Sequence, residues 1–203
     1  IEVRGTYLHL RDIRSTGGNY AFSLSGAQFC EFERIYASGS TFGIHLTGAS
    51  NSNAFRACTI LSLTAGALRP FSPATGNYVE HCVAYSRNSA ALTLIESSVS
   101  NVVNSVGMGY WGISTTAGQQ YLSASHNIFF STSSQLSPQF ETLADFQGYY
   151  TNAFANTVAD PKFVNAEGMD FHLLSAAGFV SNGVWVTNAA VGFSPGIDFG
   201  ARE

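Results

Sequence analysis

The chain has 203 residues, 45% of them hydrophobic and only 11% charged, with a net charge of −4. That much apolar content excludes a long disordered chain, which needs charge and few apolar residues. The acidic balance without a basic run excludes the usual footprint of a nucleic-acid binder, and no stretch approaches the roughly 18 apolar residues that span a membrane. Polar bulk comes from Ser, Thr, Asn and Gly rather than Lys and Glu. These residues suit turns and stacked strands, so a secreted or cell-surface β-rich protein is expected. Cys30, Cys58 and Cys82 are an odd count, which excludes a complete disulfide framework.

In chain order, "YLHLRDIRSTGGNYAF" from Tyr7 is followed 22 residues later by "FCEFERIYASGSTFGI" from Phe29. Leu10 matches Phe32, Ile13 matches Ile35, Gly17 matches Gly39 and Phe22 matches Ile44. The period then lengthens to 24, aligning Asn53, Asn77 and Asn101, then Phe55, Val79 and Val103, and Cys58 with Cys82. Ile44, Leu68 and Leu92 also align, and "SASHNIFF" (Ser123 to Phe130) extends the series. Within each repeat apolar residues alternate with polar ones, as in Phe42-Gly43-Ile44-His45-Leu46, the mark of short half-buried strands. Gly, Ser, Asn and Thr punctuate them as turn formers.

A repeat this short does not bury its apolar side alone. Coiling the chain so that like positions stack, about 4.8 Å apart, buries it. The spacing therefore predicts an all-β right-handed parallel β-helix with coils of about 22–24 residues. Residues 1–131 form the coils, and 132–203 form a terminal coil and an irregular C-terminal cap. A leucine-rich solenoid would need a Leu-x-x-Leu-x-Leu frame, which is missing. Ile1 falls in mid-coil, so either the natural chain continues upstream or copies stack end to end as a homo-oligomer through open strand edges.

The C-terminal part is more specific. It reads Asp160-Pro161-Lys162-Phe163, Asp170-Phe171-His172-Leu173, Trp185-Val186-Thr187 and Ser194-Pro195-Gly196-Ile197-Asp198-Phe199-Gly200. With the repeat, these motifs resemble right-handed parallel β-helix proteins of the pectate-lyase-like superfamily, and the closing segment is similar to that of secreted bacterial members. The resemblance implies architecture and secretion rather than a reaction. Lys162 is the chain's one lysine, and polysaccharide-cleaving enzymes can use such a base. Its apolar neighbours Phe163, Phe171, Leu173 and Leu174 instead predict a segment laid over the open core of the last coil. Asp160, Glu167, Asp170 and Asp198 are the oxygen ligands that calcium would take. No repeated Asp-x-Asp pattern supports that, so no cofactor or metal is expected.

Several columns of side chains follow from the stacking. Asn53, Asn77 and Asn101 are expected to form an asparagine ladder at a turn. Cys58 and Cys82 are expected as a small buried stack. Arg11, Glu33, Arg56 and Glu80, continuing to Asn104 and His126, alternate in sign and are expected as an ion ladder fixing register. Glu33 and Glu80 lie two coils apart, roughly 10 Å, near the roughly 6.5–9.5 Å of inverting glycosidases, but with Arg56 between them. Ser23, His45, Arg69, Thr93 and Ser114 form an outward column. In the enzymes the chain resembles, such a face often forms the substrate groove, and an Arg beside a His binds carboxylates. Tyr110 and Trp111 offer aromatic faces. His45, Arg69, Thr93, Tyr110 and Trp111 are thus the candidate glycan contacts. No Ser-His-Asp order, metal cluster or phosphate loop is present. The leading expectation is a structural or polysaccharide-binding module, with a polysaccharide lyase or glycoside hydrolase as the rival.

Overall fold

The computed structural model describes residues 1–71, 74–94, 99–115, 122–161, 163–167 and 170–173. The chain winds as a parallel β-solenoid of about 5 turns. Each coil contributes up to three short strands, and like strands of successive coils pair in parallel. We call the three stacks walls. Wall 1 holds Tyr20–Ser25, Phe42–Thr47 and Leu68–Pro70, then the later parts of Val83–Leu94 and Val106–Thr115. Wall 2 is a separate 7-stranded sheet running from His9–Arg11 to Ala153–Phe154. Wall 3 holds Arg14–Thr16, Tyr36–Gly39 and Thr59–Ser62, the first parts of Val83–Leu94 and Val106–Thr115, and Ile128–Ser131. The pairings Leu10↔Phe32, Phe22↔Ile44, Ile44↔Leu68 and Leu68↔Leu92 reproduce the expected stacking.

Two columns of left-handed residues turn the chain at the ends of wall 2. Tyr7, Phe29, Ser52 and Gly76 precede it, and Asp12, Arg34, Ala57, His81, Asn104, His126 and Ala155 follow it, all with φ between 48° and 66°. This conformation costs a non-glycine residue roughly 1–2 kcal/mol. It is offset because the bend keeps the ladder intact. The N–H groups of Asp12, Arg34, Ala57, His81, Asn104 and His126 still donate to Glu33, Arg56, Glu80, Val103, Ser125 and Phe154 on the next coil. These six turn amides are therefore all satisfied.

Inside, Phe22, Phe32, Phe55 and Phe129 are fully buried, and Phe32 stacks on Phe55 at 5.0 Å between centroids. A helix, Leu143–Tyr149, closes the core at the last coil. Thr142 caps it with a reciprocal Asp145 side chain, and Phe146 packs edge-on to Phe129 at 5.9 Å.

That arrangement corrects the expected cap. Phe163 and Phe171 belong to a small antiparallel pair, Phe163–Asn165 with Asp170–Leu173, and they do not cover the open core. They pack against Leu61, Val83, Tyr85, Val106 and Ile128, the outward residues of wall 3. The physical reason is that this wall is apolar on both faces, and its outer face needs cover from water. Lys162, Gly168, Leu174 and the Trp185, Ser194–Gly200 motifs lie outside the described residues.

A second correction concerns register. Asn101 pairs with Tyr78, not Asn77, because the ladder slips between Asn77 and Tyr78; Val79 then meets Val102 rather than Val103. The coil has one residue fewer than the period of 24 requires, so Val102 is buried and Val103 is turned outward.

Candidate functional site

The outward side of wall 1 carries the expected polar column. Ser23 pairs with His45 and His45 with Arg69, while further along Thr93 pairs with Ser114 on the next coil. The surroundings of His45 and Arg69 are aromatic. The imidazole stacks on Tyr20 at 4.5 Å and on Phe42 at 5.1 Å, with interplanar angles of 14° and 8°. Phe71 meets it edge-on at 4.9 Å. The Arg69 guanidinium lies 5.1 Å from the Phe42 centroid and 4.6 Å from that of Phe71, a cation–π arrangement.

Alternation along Phe42–Thr47 predicts Phe42 inside with Ile44 and Leu46. Its ring instead joins the outward cluster. Gly43 takes the inward corner, where an added Cβ would stand 2.6 Å from Ile60 Cγ2, so only glycine fits. Tyr20, Phe42 and Phe71 are the contributors that the sequence reading missed. The one signal was the recurrence of Tyr20 and Phe42 at matching positions 22 residues apart.

Burial pushes the His45 pKa down, and the Arg69 charge pushes it further; burial also lowers that of Arg69. His45 is therefore neutral at pH 7, and Arg69 is a half-desolvated cation. His45 Nδ1 and Arg69 Nε are both buried without a hydrogen-bond partner among the described residues. Arg69 has no carboxylate partner among them either. A half-buried guanidinium in this state costs free energy unless an anion completes it.

Thr93 is 9% exposed, and its Oγ1 occupies the space a Cβ on Gly66 would take, 2.5 Å away. It offers a ligand little surface. Tyr110 is 45% exposed and meets Trp111 in a T-shaped contact at 4.8 Å. Trp111 pairs with Ala90. Counting back through Leu92↔Leu68↔Ile44 puts Trp111 in one column with Ala90, Gly66, Phe42 and Tyr20. Aromatic rings thus stand at both ends of a strip about 14 Å long, three rungs of spacing, with small residues between.

The charged column sits on wall 2. Arg11, Glu33 and Arg56 pair in register, as do Arg56 and Glu80. The ion contacts are richer than a straight ladder. Arg56 bridges Glu31 and Glu80, Glu33 meets Arg34 and His9, Arg34 meets Asp12 at 2.6 Å, and Arg11 reaches Asp12 at 3.9 Å. Arg56 stands between Glu33 and Glu80, where a sugar and a water would be needed for hydrolysis. Asn104 and His126 do not continue this column. They occupy the left-handed corner, and Asn104 lies against His81 at 3.4 Å.

The asparagine ladder is real over Asn53 and Asn77. Asn77 Oδ1 accepts from the backbone and side-chain N–H groups of Asn53, each at 3.0 Å, and Asn53 Oδ1 accepts from the Cys30 N–H. A second ladder was not foreseen. Cys58, Cys82, Ser105, Asn127 and Asn156 form one column, in which each backbone N–H donates to the side chain one coil on. Cys58 and Cys82 are thus buried free thiols bonded into the turn, and burial raises the Cys82 pKa. Among the described residues no three acid, His or Cys side chains converge to hold a metal ion, and Asp198 lies outside them. No described helix is long and apolar enough to cross a membrane.

Comparisons with protein-family models, with curated proteins and with solved structures found no match for this chain.

Proposed function

We propose that the chain is an extracellular β-helix module, secreted or on a cell surface, that binds carboxylate-bearing polysaccharide on the outer face of wall 1. The observation that carries this reading is Arg69: a half-buried guanidinium, held between Phe42 and Phe71, with no carboxylate partner among the described residues. A uronic-acid carboxylate supplies the missing charge and accepts from the fork of N–H donors. Tyr20 and Phe71 on one side, and Tyr110 and Trp111 on the other, offer ring faces to neighbouring sugars. The similarity of the closing motifs to pectate-lyase-like secreted proteins supports the same reading, as does the Ser-, Thr- and Asn-rich composition.

A second reading, a polysaccharide lyase or hydrolase of pectate-lyase-like type, is favoured by one observation. His45 is neutral, and its Nδ1 has no hydrogen-bond partner among the described residues, beside a cation that would hold a substrate acid. Fold alone does not choose between binding and turnover. A panel of acidic and neutral polysaccharides, assayed for binding, for unsaturated products and for reducing ends, with and without calcium, separates them. Binding of acidic chains without new products, lost in Arg69→Ala, supports the binding module. Turnover lost in Arg69→Ala supports the enzyme.

A further inference from the structure

A second aromatic feature lies at a different corner, before wall 2. Tyr7 is 77% exposed and Phe29 50% exposed, and their rings stack at 5.2 Å with an interplanar angle of 11°. Both residues are left-handed, with φ 57° and 54°. The corner itself does not demand aromatics there. The next two coils use Ser52, φ 55°, and Gly76, φ 66°, at the same position. Bulky side chains are uncommon in this conformation, so packing of the turn does not explain the pair.

The order of the column leaves an opening. Tyr7 covers one face of the Phe29 ring. The other face looks toward the rung of Ser52, one coil on and about 4.8 Å away, where the stack lacks a ring. Beside it, Gln28, Asn51 and Thr75 form a neutral polar column. Asn51 Oδ1 is engaged by Thr75 N–H and Oγ1 at 2.8 and 3.1 Å. That engagement orients the amide, and its nitrogen has no hydrogen-bond partner among the described residues. Ser52 holds its hydroxyl toward Gly76, 3.6 Å from where a Cβ would stand there, and nothing else lies within 4 Å of that point. The residues of these four coil segments, 5–8, 27–30, 50–53 and 74–77, include no charged side chain.

The geometry points to a neutral-sugar site at this corner: a hexopyranose ring stacked on the free face of Phe29, above Ser52, with hydroxyls bonded to Asn51, Ser52 and Thr75. An aromatic face matches the apolar C–H face of a sugar whose hydroxyls are equatorial, and a few convergent polar groups fix orientation. The lack of charge separates this site from Arg69, so the two take different sugars of a mixed polysaccharide. The neutral site stands whether or not Arg69 binds acids.

The test uses the intact chain with cellohexaose and hexagalacturonate as probes, followed by NMR titration. Cellohexaose is expected to shift Gln28, Phe29, Asn51, Ser52 and Thr75, and to do so equally in 0.5 M salt. Phe29→Ala removes the platform and Ser52→Tyr fills the slot, and each should weaken cellohexaose up to about tenfold, the scale of one lost ring contact. Ser52→Tyr should fold, since the same corner already holds Tyr7 and Phe29, and thermal melts confirm this. Arg69→Ala should leave cellohexaose unchanged. The site is refuted by absent cellohexaose binding, by undiminished binding in Ser52→Tyr, or by shifts that map to wall 1.

Discussion

Arg69 stands one coil beyond His45, directly paired with it, and both side chains lean on the same ring, that of Phe42. One aromatic therefore supports a neutral imidazole and a cation at once. Removing the cation should change recognition more than folding. Arg69→Gln is expected to abolish binding of acidic oligosaccharides while leaving the melt within about 1 kcal/mol of wild type, because a half-desolvated charge leaves with it. Arg69→Lys should restore little, since a point charge does not reproduce the fork or the stacking. Calorimetric titration and thermal melts on both variants check this.

The pairing also sets a pH dependence. The His45 pKa is lowered in the free protein. A bound carboxylate favours the protonated imidazole and raises that pKa, so binding takes up a proton. Affinity for hexagalacturonate should therefore rise as pH falls from 7 toward 5, and His45→Gln should flatten the profile. An unchanged slope in His45→Gln assigns the proton elsewhere.

His81 supplies a separate titration. It is buried, and burial lowers its pKa to about 4. Between the unfolded value near 6.5 and this folded value, the unfolded chain binds the extra proton, so stability falls as pH drops through that window. The loss is at most about 3 kcal/mol by pH 4. His81→Asn suits the left-handed corner and should remove that slope in urea melts at pH 4 and 7.

Membership of a ladder predicts contrasting asparagine mutants. Asn127 donates to the Val102 carbonyl at 2.8 Å and accepts from the Ser105 N–H at 2.9 Å, all buried. Asn127→Ala orphans both and should cost about 2–4 kcal/mol. Asn101→Ala, at a half-buried position outside either ladder, should stay within about 0.5 kcal/mol. Urea unfolding midpoints decide.

This contrast also shows what was legible in the sequence. Residues of like character at 22 or 24 spacing, apolar Phe22 with Ile44 and identical Asn53 with Asn77, revealed the coil because stacking forces like positions together. The Asn101 assignment failed because Val102 and Val103 are both apolar, so alternation carried no information about which faces in. The Cys58 to Asn156 column was hidden because Cys, Ser and Asn satisfy one turn by different atoms. At the corners Asp12, His81, Asn104, His126 and Gly76 have residue types that favour the left-handed region; Arg34, Ala57 and Phe29 gave no such sign. The His45 and Arg69 pairing was readable from the period. The rings that make it a site were not, because Phe42 leaves the strand alternation at a bend.

Closure of the fold divides between two segments. Phe146→Ala should open the last coil and cost about 3–5 kcal/mol. Deleting residues 160–203 should instead uncover Leu61, Val83, Tyr85, Val106 and Ile128 on wall 3 and give aggregation in light scattering rather than a simple drop in melting temperature.

The central claim, that the outer face of wall 1 recognises a carboxylate-bearing sugar through Arg69, is tested most directly by titrating hexagalacturonate into the wild-type chain and Arg69→Ala at low and high salt. The account predicts binding by the wild type that weakens with salt and is lost in Arg69→Ala, with both proteins melting alike. Absence of binding by the wild type, or equal binding by Arg69→Ala, would contradict it.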